Sequence, residues 1–305
     1  MNPPTIPGTV LMGGGTDVED AFLWMIKNAN GGDFLILRAS GDEAYNPWVF
    51  NLSIANGGAL NTVTTVLFNS KAASYETYII DKIKNSEVIW FAGGDQSYYM
   101  NWWAGTPVQS AIQDKLKFIT IGGTSAGLAI LGNWVFSCQH NTIYSAESLR
   151  NPYDFRITIA DRFLGIAHMG DFITDTHFVT RNRMGRMLTF IARLATNSTG
   201  AASALPGLPY GIGVNESTAF LINQDTGVGT LVGTGTAYVC NARELPSVCS
   251  SGQPLSYAGI DCMRLSASVG DAYDFKNKVA AKGGVSYSID ITEGRLDESA
   301  QYGPK

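Results

Sequence analysis

Short apolar runs alternate with amphipathic segments over roughly the first 200 residues. The runs are typical of buried strands and cover residues 9–12, 34–38, 64–68, 88–92 and 118–121. Other segments repeat apolar positions at the spacing of one helical face, over residues 20–28, 75–84 and 108–115. Strands that alternate with helices indicate βαβ units. We therefore predict an α/β fold built on a doubly wound, mostly parallel sheet that is covered on both faces.

The pattern changes near Ala219. Residues 219–222 and 230–240 are predicted to be strands of a hairpin or meander, and a loop-rich tail follows them. The sequence contains no repeat, low-complexity tract or linker that would separate the two parts. We therefore predict one domain over residues 1–305, with a core over 1–222 and a β-rich, loop-rich C-terminal part over 223–305.

One predicted strand runs into a cluster of small residues that has Ser125 at its centre. Residues 118–121 form the strand, residues 128–131 are predicted to be the first turns of a buried helix, and G-G-T-S-A-G lies between them. This arrangement is typical of a nucleophile elbow, a tight turn that presents a reactive hydroxyl at the end of a sheet strand. A glycine-rich turn without chemistry has a similar sequence, so the placement between strand and helix favours the catalytic interpretation.

A serine nucleophile needs a base, and the chain has three histidines. His140 and His168 lie in segments where a structural role is the better interpretation. His177 lies in a stretch predicted to be extended, residues 172–178, so that Asp175 would project to the same side of the chain. Asp175 and Glu216 are both candidates for the acid that would orient the imidazole.

Three arginines follow His177, just before or within a predicted amphipathic helix. Arginine forks bind carboxylates through two parallel hydrogen bonds, so the cluster indicates a pocket for an acidic ligand. A solvated basic helix end is the alternative. The three residues are Arg181, Arg183 and Arg186.

Four ordered motifs make the sequence recognisable. They are F-A-G-G-D-Q at 91–96, G-G-T-S-A-G at 122–127, D-x-H-F-x-x-R-x-R-x-x-R at 175–186 and G-I-G-V-N-E at 211–216. With them, the chain resembles the cyanophycinase branch of the S51 serine peptidases, which are relatives of aspartyl dipeptidase. The resemblance spans residues 9–222 and implies a flavodoxin-like α/β fold related to class I glutamine amidotransferases.

The resemblance also implies a role for each matching position. Ser125 would be the nucleophile, His177 the general base and acid, and Glu216 the carboxylate that orients His177. Main-chain N–H groups of Gly94 and Ala126 would form the oxyanion hole. The positions that match the family's substrate pocket are Gln96, Asp175, Thr176, Arg181, Arg183 and Arg186.

The substrate class follows from the same resemblance. Family enzymes cleave cyanophycin, a polyaspartate that carries arginine, to β-Asp-Arg dipeptides, and they use no metal or other cofactor. Three positions depart from the family pattern: Thr176 replaces glutamine, Asn182 replaces glycine and Asn215 often replaces aspartate. An α-aspartyl dipeptidase, or a peptidase of another specificity, is therefore an alternative. A non-catalytic binding protein on the same scaffold is a further one.

Composition limits the partners. The chain has 305 residues, 45% of them hydrophobic and 15% charged, which allows a sizeable core. A formal net charge of -5 gives no general attraction to nucleic acid, and no apolar run reaches the length of a membrane span. We expect a peptide substrate and neither a nucleic-acid nor a membrane partner. The sequence does not decide between a monomer and a homodimer.

The four cysteines bear on the compartment. Cys240, Cys249 and Cys262 lie in one Ser/Gly/Pro-rich stretch and Cys138 stands apart, so three pairings are conceivable. The spacing matches no zinc site. Clustered loop cysteines favour one or two disulfides, and residues 1–8 have no signal-peptide pattern. We expect a secreted or periplasmic protein whose signal peptide has been removed, with a cytoplasmic protein as the alternative.

Overall fold

The computed structural model describes residues 4–198 and 207–304. The predicted range 1–305 also contains residues 1–3, 199–206 and 305, which lie outside the described residues. Two large mixed sheets, of nine and eight strands, organise the described part of the chain. The α/β class predicted from the sequence is confirmed, with strand-rich chain at the C-terminal end.

The N-terminal half of the nine-stranded sheet is parallel. Its strands are hydrogen-bonded in the order β1-β5-β4-β2-β3, and each overlaps one of the five predicted apolar runs. The strands are β1 (Gly8–Met12), β2 (Asp33–Arg38), β3 (Thr62–Leu67), β4 (Val88–Phe91) and β5 (Thr120–Thr124).

Five helices connect these strands. The predicted helices correspond to α1 (Glu19–Ala29), α3 (Thr77–Asn85) and α5 (Pro107–Lys115). Two more were not predicted, namely α2 (Tyr45–Ala55) and α4 (Gln96–Trp103). Both are rich in aromatic residues and lack a clear division into apolar and polar faces, so the periodicity of their sequences gives little indication of a helix.

The parallel strands are covered on both faces, as predicted. Successive side chains of a strand point to opposite faces of the sheet. Phe34 and Ile36 of β2 join the core that includes buried residues of α1 and α2. Leu35 and Leu37 join the core that includes buried residues of α3 and α5. A buried parallel sheet of this kind leaves its strand ends as the natural place for a site.

The remaining strands of the first sheet are antiparallel and extend it beyond β1. They follow in the order β10-β11-β14-β15. Their bounds are β10 (Thr218–Asn223), β11 (Val228–Gly233), β14 (Ala272–Asp274) and β15 (Val279–Lys282). The strand predicted over residues 230–240 is in fact broken, because the chain leaves this sheet after Gly233 and enters the second sheet at Thr236.

The second sheet runs in the order β17-β16-β13-β12-β9-β8-β6-β7. It comprises β6 (Trp134–Phe136), β7 (Ile159–Asp161), β8 (Phe172–Asp175), β9 (Tyr210–Val214), β12 (Thr236–Ala242), β13 (Tyr257–Ser266), β16 (Val285–Thr292) and β17 (Arg295–Leu296). Three further helices are α6 (Ala126–Ala129), α7 (Ser145–Arg150) and α8 (Met184–Ser198).

The cysteines are divided between a disulfide and two thiols. Cys240 and Cys262 face each other on β12 and β13 and form a disulfide, whereas Cys138 and Cys249 are free. One bridge is thus present, within the predicted range of one or two. Among the helices of residues 4–198 and 207–304, none combines the length and the apolar character needed to cross a membrane.

Candidate active site

Three glycine-rich turns meet at the carboxyl ends of the parallel strands. They follow β1, β4 and β5, and they contain Gly14, Gly93 and Ser125. A Cβ placed on Gly93 would lie 3.5 Å from the Cβ of Ser125. One placed on Gly14 would collide with the ring of His177. The convergence of these turns places them around one site.

Ser125 occupies the strained turn that the sequence predicts. Its φ is +53°, a region that non-glycine residues rarely adopt. The small neighbours are needed, because a Cβ on Gly127 would lie 2.0 Å from the carbonyl oxygen of Phe91. The following helix α6 has only four residues, so the longer helix expected after Ser125 is wrong, and the chain continues into β6 instead.

Ser125, His177 and Glu216 form one hydrogen-bonded chain. Ser125 Oγ lies 2.7 Å from His177 Nε2, and His177 Nδ1 lies 2.6 Å from Glu216 Oε1. His177 is 6% exposed. With the ring proton on Nδ1, His177 donates to the carboxylate, and its Nε2 lone pair accepts the hydroxyl proton of Ser125.

The surroundings of His177 favour its neutral form. Burial lowers the pKa of His177 below its usual range, and the positive charges of Arg181 and Arg183 add to that effect. The hydrogen bond to Glu216 acts in the opposite direction but does not outweigh burial. A neutral imidazole near pH 7 can accept a proton, which is what a general base requires.

The turn Gly13–Gly15 fixes the relative positions of His177 and Glu216. The carbonyl oxygen of Gly13 accepts the N–H of His177, and that of Gly14 accepts the N–H of Ser217. Gly14 has φ +102° and lies against the imidazole face, where a Cβ would be 2.4 Å from Cε1. The sequence analysis missed this role, because glycines after a strand are equally typical of any tight turn.

Asp175 does not orient His177. The strand β8 ends at Asp175 and His177 has φ +46°, so the expected projection of both side chains to one side of an extended chain is wrong. The carboxylate of Asp175 instead accepts hydrogen bonds from Arg186 Nε and Nη2. Of the two acids considered, the structure brings Glu216 to the imidazole.

The three arginines lie in three different environments. Arg186 is 3% exposed and paired with Asp175 in a buried bidentate contact. Arg183 is partly buried and donates from Nη1 to the carbonyl and hydroxyl oxygens of Thr176. Burial lowers the pKa of Arg183 to about 10, which still leaves it charged at neutral pH. Arg181 is exposed.

One cavity of about 440 Å³ lies against these groups. Its lining includes every residue that the sequence suggested for the site except Glu216, which lies behind His177. The predicted residues around the cavity are Ser125, His177, Gly94, Ala126, Gln96, Asp175, Thr176, Arg181, Arg183 and Arg186. Gln96 Nε2 donates to the carbonyl oxygen of Phe136 at 3.1 Å. In the described part of the chain, no group of His, Cys, Asp and Glu side chains is placed to hold a metal ion.

Asp95 and Cys138 are among the cavity-lining residues that the sequence did not predict for the site. Asp95 accepts the N–H of Ser97 and caps α4, and an acidic residue directly before a helix is a recognisable capping signal. Cys138 contributes a half-buried thiol from a residue with φ +54°. No sequence signal predicts its position, because the intervening chain is long and irregular.

Asn215 supports the segment that carries His177. Its Oδ1 accepts three hydrogen bonds of 3.1 Å, from the N–H of Val179 and from the N–H and hydroxyl of Thr180. Since Asn215 precedes Glu216, the same short segment holds both the acid and the turn that follows the histidine. From the sequence alone, only the departure from the usual aspartate was apparent, and not this contact.

The chain is similar to curated proteins described as cyanophycinase. It is 29% identical over 175 residues to the protein of Geminocystis herdmanii, which covers 56% of this chain and 54% of that protein. It is 29% identical over 159 residues to the protein of Trichormus variabilis, covering 52% and 46%. It thus spans about half the length of the curated relatives it matches. No protein-family model matches the chain.

The fold is shared with a solved peptidase structure. The crystal structure of a peptidase from an acI-B1 Actinobacterium has a TM-score of 0.55 to this chain, at 16% sequence identity, covering 93% of this chain and 98% of that one. At this identity the likeness shows the fold alone. The sequence similarity to the cyanophycinases confirms the resemblance drawn from the four motifs.

Proposed function

We propose that this chain is a serine-type peptidase that cleaves aspartyl or isoaspartyl peptide bonds. The observation that carries the proposal is the hydrogen-bonded chain from Ser125 through His177 to Glu216, beside a cavity lined by three arginines. A nucleophile, a base and an orienting acid at hydrogen-bonding distances form the constellation used for acyl transfer.

In the acylation step, Ser125 Oγ attacks the carbonyl carbon of the scissile bond while its proton moves to His177 Nε2. The carbonyl oxygen becomes an oxyanion, for which we assign the main-chain N–H groups of Gly94 and Ala126 as donors. One such donor is worth about 3 kcal/mol in comparable sites. Glu216 stabilises the imidazolium. The C–N bond then breaks, and the leaving amine takes the proton from Nε2.

In the deacylation step, a water molecule gives a proton to Nε2 of His177 and attacks the acyl carbon. The same N–H groups stabilise the second oxyanion. The C–Oγ bond breaks, the substrate leaves as a carboxylic acid, and Ser125 recovers its proton from the imidazolium. The two steps together consume one water and regenerate the resting site.

The charges of the cavity favour an acidic substrate. Arg186 holds Asp175 in a close bidentate contact, and Arg183 Nη1 lies 3.6 Å from the same carboxylate. Arg181 and the remaining guanidinium donors of Arg183 are therefore the groups that can bind substrate carboxylates. A polyaspartate main chain presents such carboxylates. Together with the name of the relatives, this supports cyanophycin as the substrate, with release of β-Asp-Arg dipeptides from a chain end.

Thr176 favours a second specificity, that of an α-aspartyl dipeptidase. The short Thr176 side chain accepts a hydrogen bond from Arg183 and thereby occupies one of that arginine's donors. With fewer free donors on Arg183, the pocket suits a small aspartyl ligand. The two specificities differ in whether a long polymer or a free Asp-Xaa dipeptide is turned over.

The test is to incubate the purified protein with soluble cyanophycin and, separately, with Asp-Xaa dipeptides, and to identify the products by mass spectrometry. Cyanophycin cleavage predicts an early, dominant Asp-Arg dipeptide. Turnover of dipeptides alone would support the second specificity. Absence of both products, in a protein that also fails to react with a serine-directed phosphonate, would refute the peptidase proposal.

Ser125→Ala should reduce kcat on the order of 10⁶-fold and retain substrate affinity, because it removes the nucleophile and not the pocket. Ser97→Ala is a matched control, since Ser97 also lines the cavity but lies at the start of α4. Its activity should stay within a few-fold of the unmodified protein. Near-normal turnover by S125A would refute the assignment of the nucleophile.

A further inference from the structure

Exposed aromatic rings lie on the surface beside the cavity. The side chain of Phe155 is 73% exposed and that of Tyr144 is 66% exposed. The ring centroid of His140 lies 5.9 Å from that of Phe155. We call His140, Tyr144 and Phe155 the outer rim. Exposed apolar side chains that lie together on one surface mark interaction sites.

The outer rim begins where the cavity ends. His140 lies between Gln139 and Asn141, which both line the cavity. On the other side, the hydroxyl of Ser145 accepts the N–H of Arg186 and donates to the carbonyl of Asn182. Ser145 directly follows Tyr144, so its hydroxyl links the rim to main-chain groups of the segment that carries the arginines.

A cluster of three charged side chains lies beside the rim. Arg156 binds Asp154 at 2.9 Å and Glu147 at 3.1 Å, so two carboxylates surround one guanidinium. Hydrogen bonds hold the pKa values of both carboxyls below their usual range, with the Tyr144 N–H as the main cause for Glu147 and Arg156 as the main cause for Asp154. These three side chains together carry one net negative charge at neutral pH, and Arg150 adds a positive charge that acts on Asp154 more weakly than Arg156 does.

Phe155 already contacts one cation. The guanidinium carbon of Arg156 lies 5.9 Å from the centre of the Phe155 ring, within the range of a cation–π contact. Most of the ring surface is still exposed to solvent. A second cation is attracted both by the free ring face and by the surplus carboxylate charge.

We propose that the outer rim binds a guanidinium side chain of the substrate, on a residue that lies outside the cavity while a neighbouring residue is cleaved at Ser125. The proposal rests on the proposed function, because it needs a substrate that carries both carboxylates and guanidinium groups. The positive cavity takes the carboxylates and the negative aromatic rim takes the cation. This pairing of opposite surfaces distinguishes an arginine-bearing chain from a simple acidic peptide.

If the rim binds substrate in this way, long arginine-bearing substrates should depend on it and short ones should not. Phe155→Leu keeps an apolar side chain but removes the aromatic face, and it should raise KM for an arginine-bearing segment of several dipeptide units about threefold to fivefold. Phe155→Trp should keep KM for that segment near the value of the unmodified protein, because indole binds cations better than the other aromatic rings do. KM for the smallest cleavable segment, kcat, and hydrolysis of a small ester should be unchanged in both variants.

Phe118→Leu provides a matched control. Phe118 is 61% exposed and precedes β5, at the opposite end of that strand from Ser125. It should leave KM for both lengths unchanged. The kinetics are complemented by binding to S125A, where F155L should weaken an arginine-bearing polyaspartate and leave unsubstituted polyaspartate unaffected.

The outcomes separate the two proposals. If the protein cleaves arginine-bearing segments but F155L matches F118L, or if F155L affects short and long segments equally, the rim proposal is refuted while the proposed function stands. The same kinetics would be seen if the rim bound another protein in place of the substrate, and that outcome also refutes the proposal. If no arginine-bearing segment is cleaved or bound, although Ser125 reacts with a small ester, both the substrate and the rim assignment are refuted.

Discussion

The site has a catalytic half, formed by the serine, histidine and glutamate, and a basic half, formed by the arginines. Both were predicted from equally clear motifs, but the contacts of their side chains differ. Ser125, His177 and Glu216 meet in one chain of hydrogen bonds of 2.6–2.7 Å. Arg183 and Arg186, only three residues apart, are held differently: Arg186 forms a bidentate contact with Asp175, whereas Arg183 donates to Thr176 and lies 3.6 Å from the same Asp175 carboxylate. Residue type therefore indicated the chemistry of both halves, and the family resemblance named the members of the catalytic half, but neither indicated which arginines are free to bind a ligand.

The difference has a physical origin. A triad works only if its members touch, so a correct motif fixes their contacts as well. An arginine, by contrast, can bind ligand or stabilise the protein, and burial decides between the two. Arg186 lies beneath the cavity with the Phe136 ring 5.2 Å from its guanidinium, so it supports the floor of the site.

The largest expected effect tests the two acids against each other. Glu216→Gln should lower kcat for a small ester by roughly 10⁴-fold, because the imidazolium loses its stabilising charge and the ring its fixed tautomer. Asp175→Asn should leave the ester activity of folded protein within about tenfold. Pre-steady-state kinetics on both variants would measure this. The reverse order would assign the triad acid to Asp175.

The next effect concerns stability. Arg186→Leu should lower the free energy of unfolding by about 3–5 kcal/mol, because it leaves the carboxylate of Asp175 buried with its principal partner removed. The exposed Arg181→Leu is the control and should change stability by less than about 0.5 kcal/mol. Urea unfolding measures both. A double variant, Asp175→Leu with Arg186→Leu, should recover part of the loss. Equal losses of stability in R186L and R181L would show that the buried arginine stabilises the protein no more than the exposed one does.

A smaller effect is expected at Arg183. Arg183→Lys keeps the charge but loses the planar fork, so KM should rise about tenfold while kcat stays nearly constant. Steady-state kinetics on an aspartyl substrate would show the split. A loss confined to kcat would indicate that Arg183 acts on the reacting atoms and not on substrate binding.

The smallest effect is a change in pH dependence. Because burial lowers the pKa of His177 and its neutral form is the base, kcat/KM should rise with pH through a value below the usual range of histidine and stay level above it. Asn215→Asp keeps the acceptor oxygen and adds a negative charge near the pair, so it should move this limb to higher pH. Asn69→Asp, a change of an exposed side chain, should not move the limb.

Several features of the fold were accessible from local sequence. The five apolar runs of the parallel sheet and helices α1, α3 and α5 have periodicities that match their structures, because burial on one or both faces imposes that pattern. The aromatic helices α2 and α4 and the break after Gly233 were missed. The two helices have no clear division into apolar and polar faces, and the break marks the passage of the chain from one sheet to the other, so neither feature leaves a periodic pattern in the sequence.

The sequence by itself determined the chemical groups of the site: a serine in a strand-to-helix turn, a histidine followed by arginines, and an acid before a strand. Only the tertiary structure decided that Glu216 and not Asp175 reaches the imidazole, and that Arg186 is buried. It also gave the turn Gly13–Gly15 its role between His177 and Ser217. Contacts between distant segments depend on backbone geometry at a few positive-φ residues and on burial, and neither property is encoded in residue spacing.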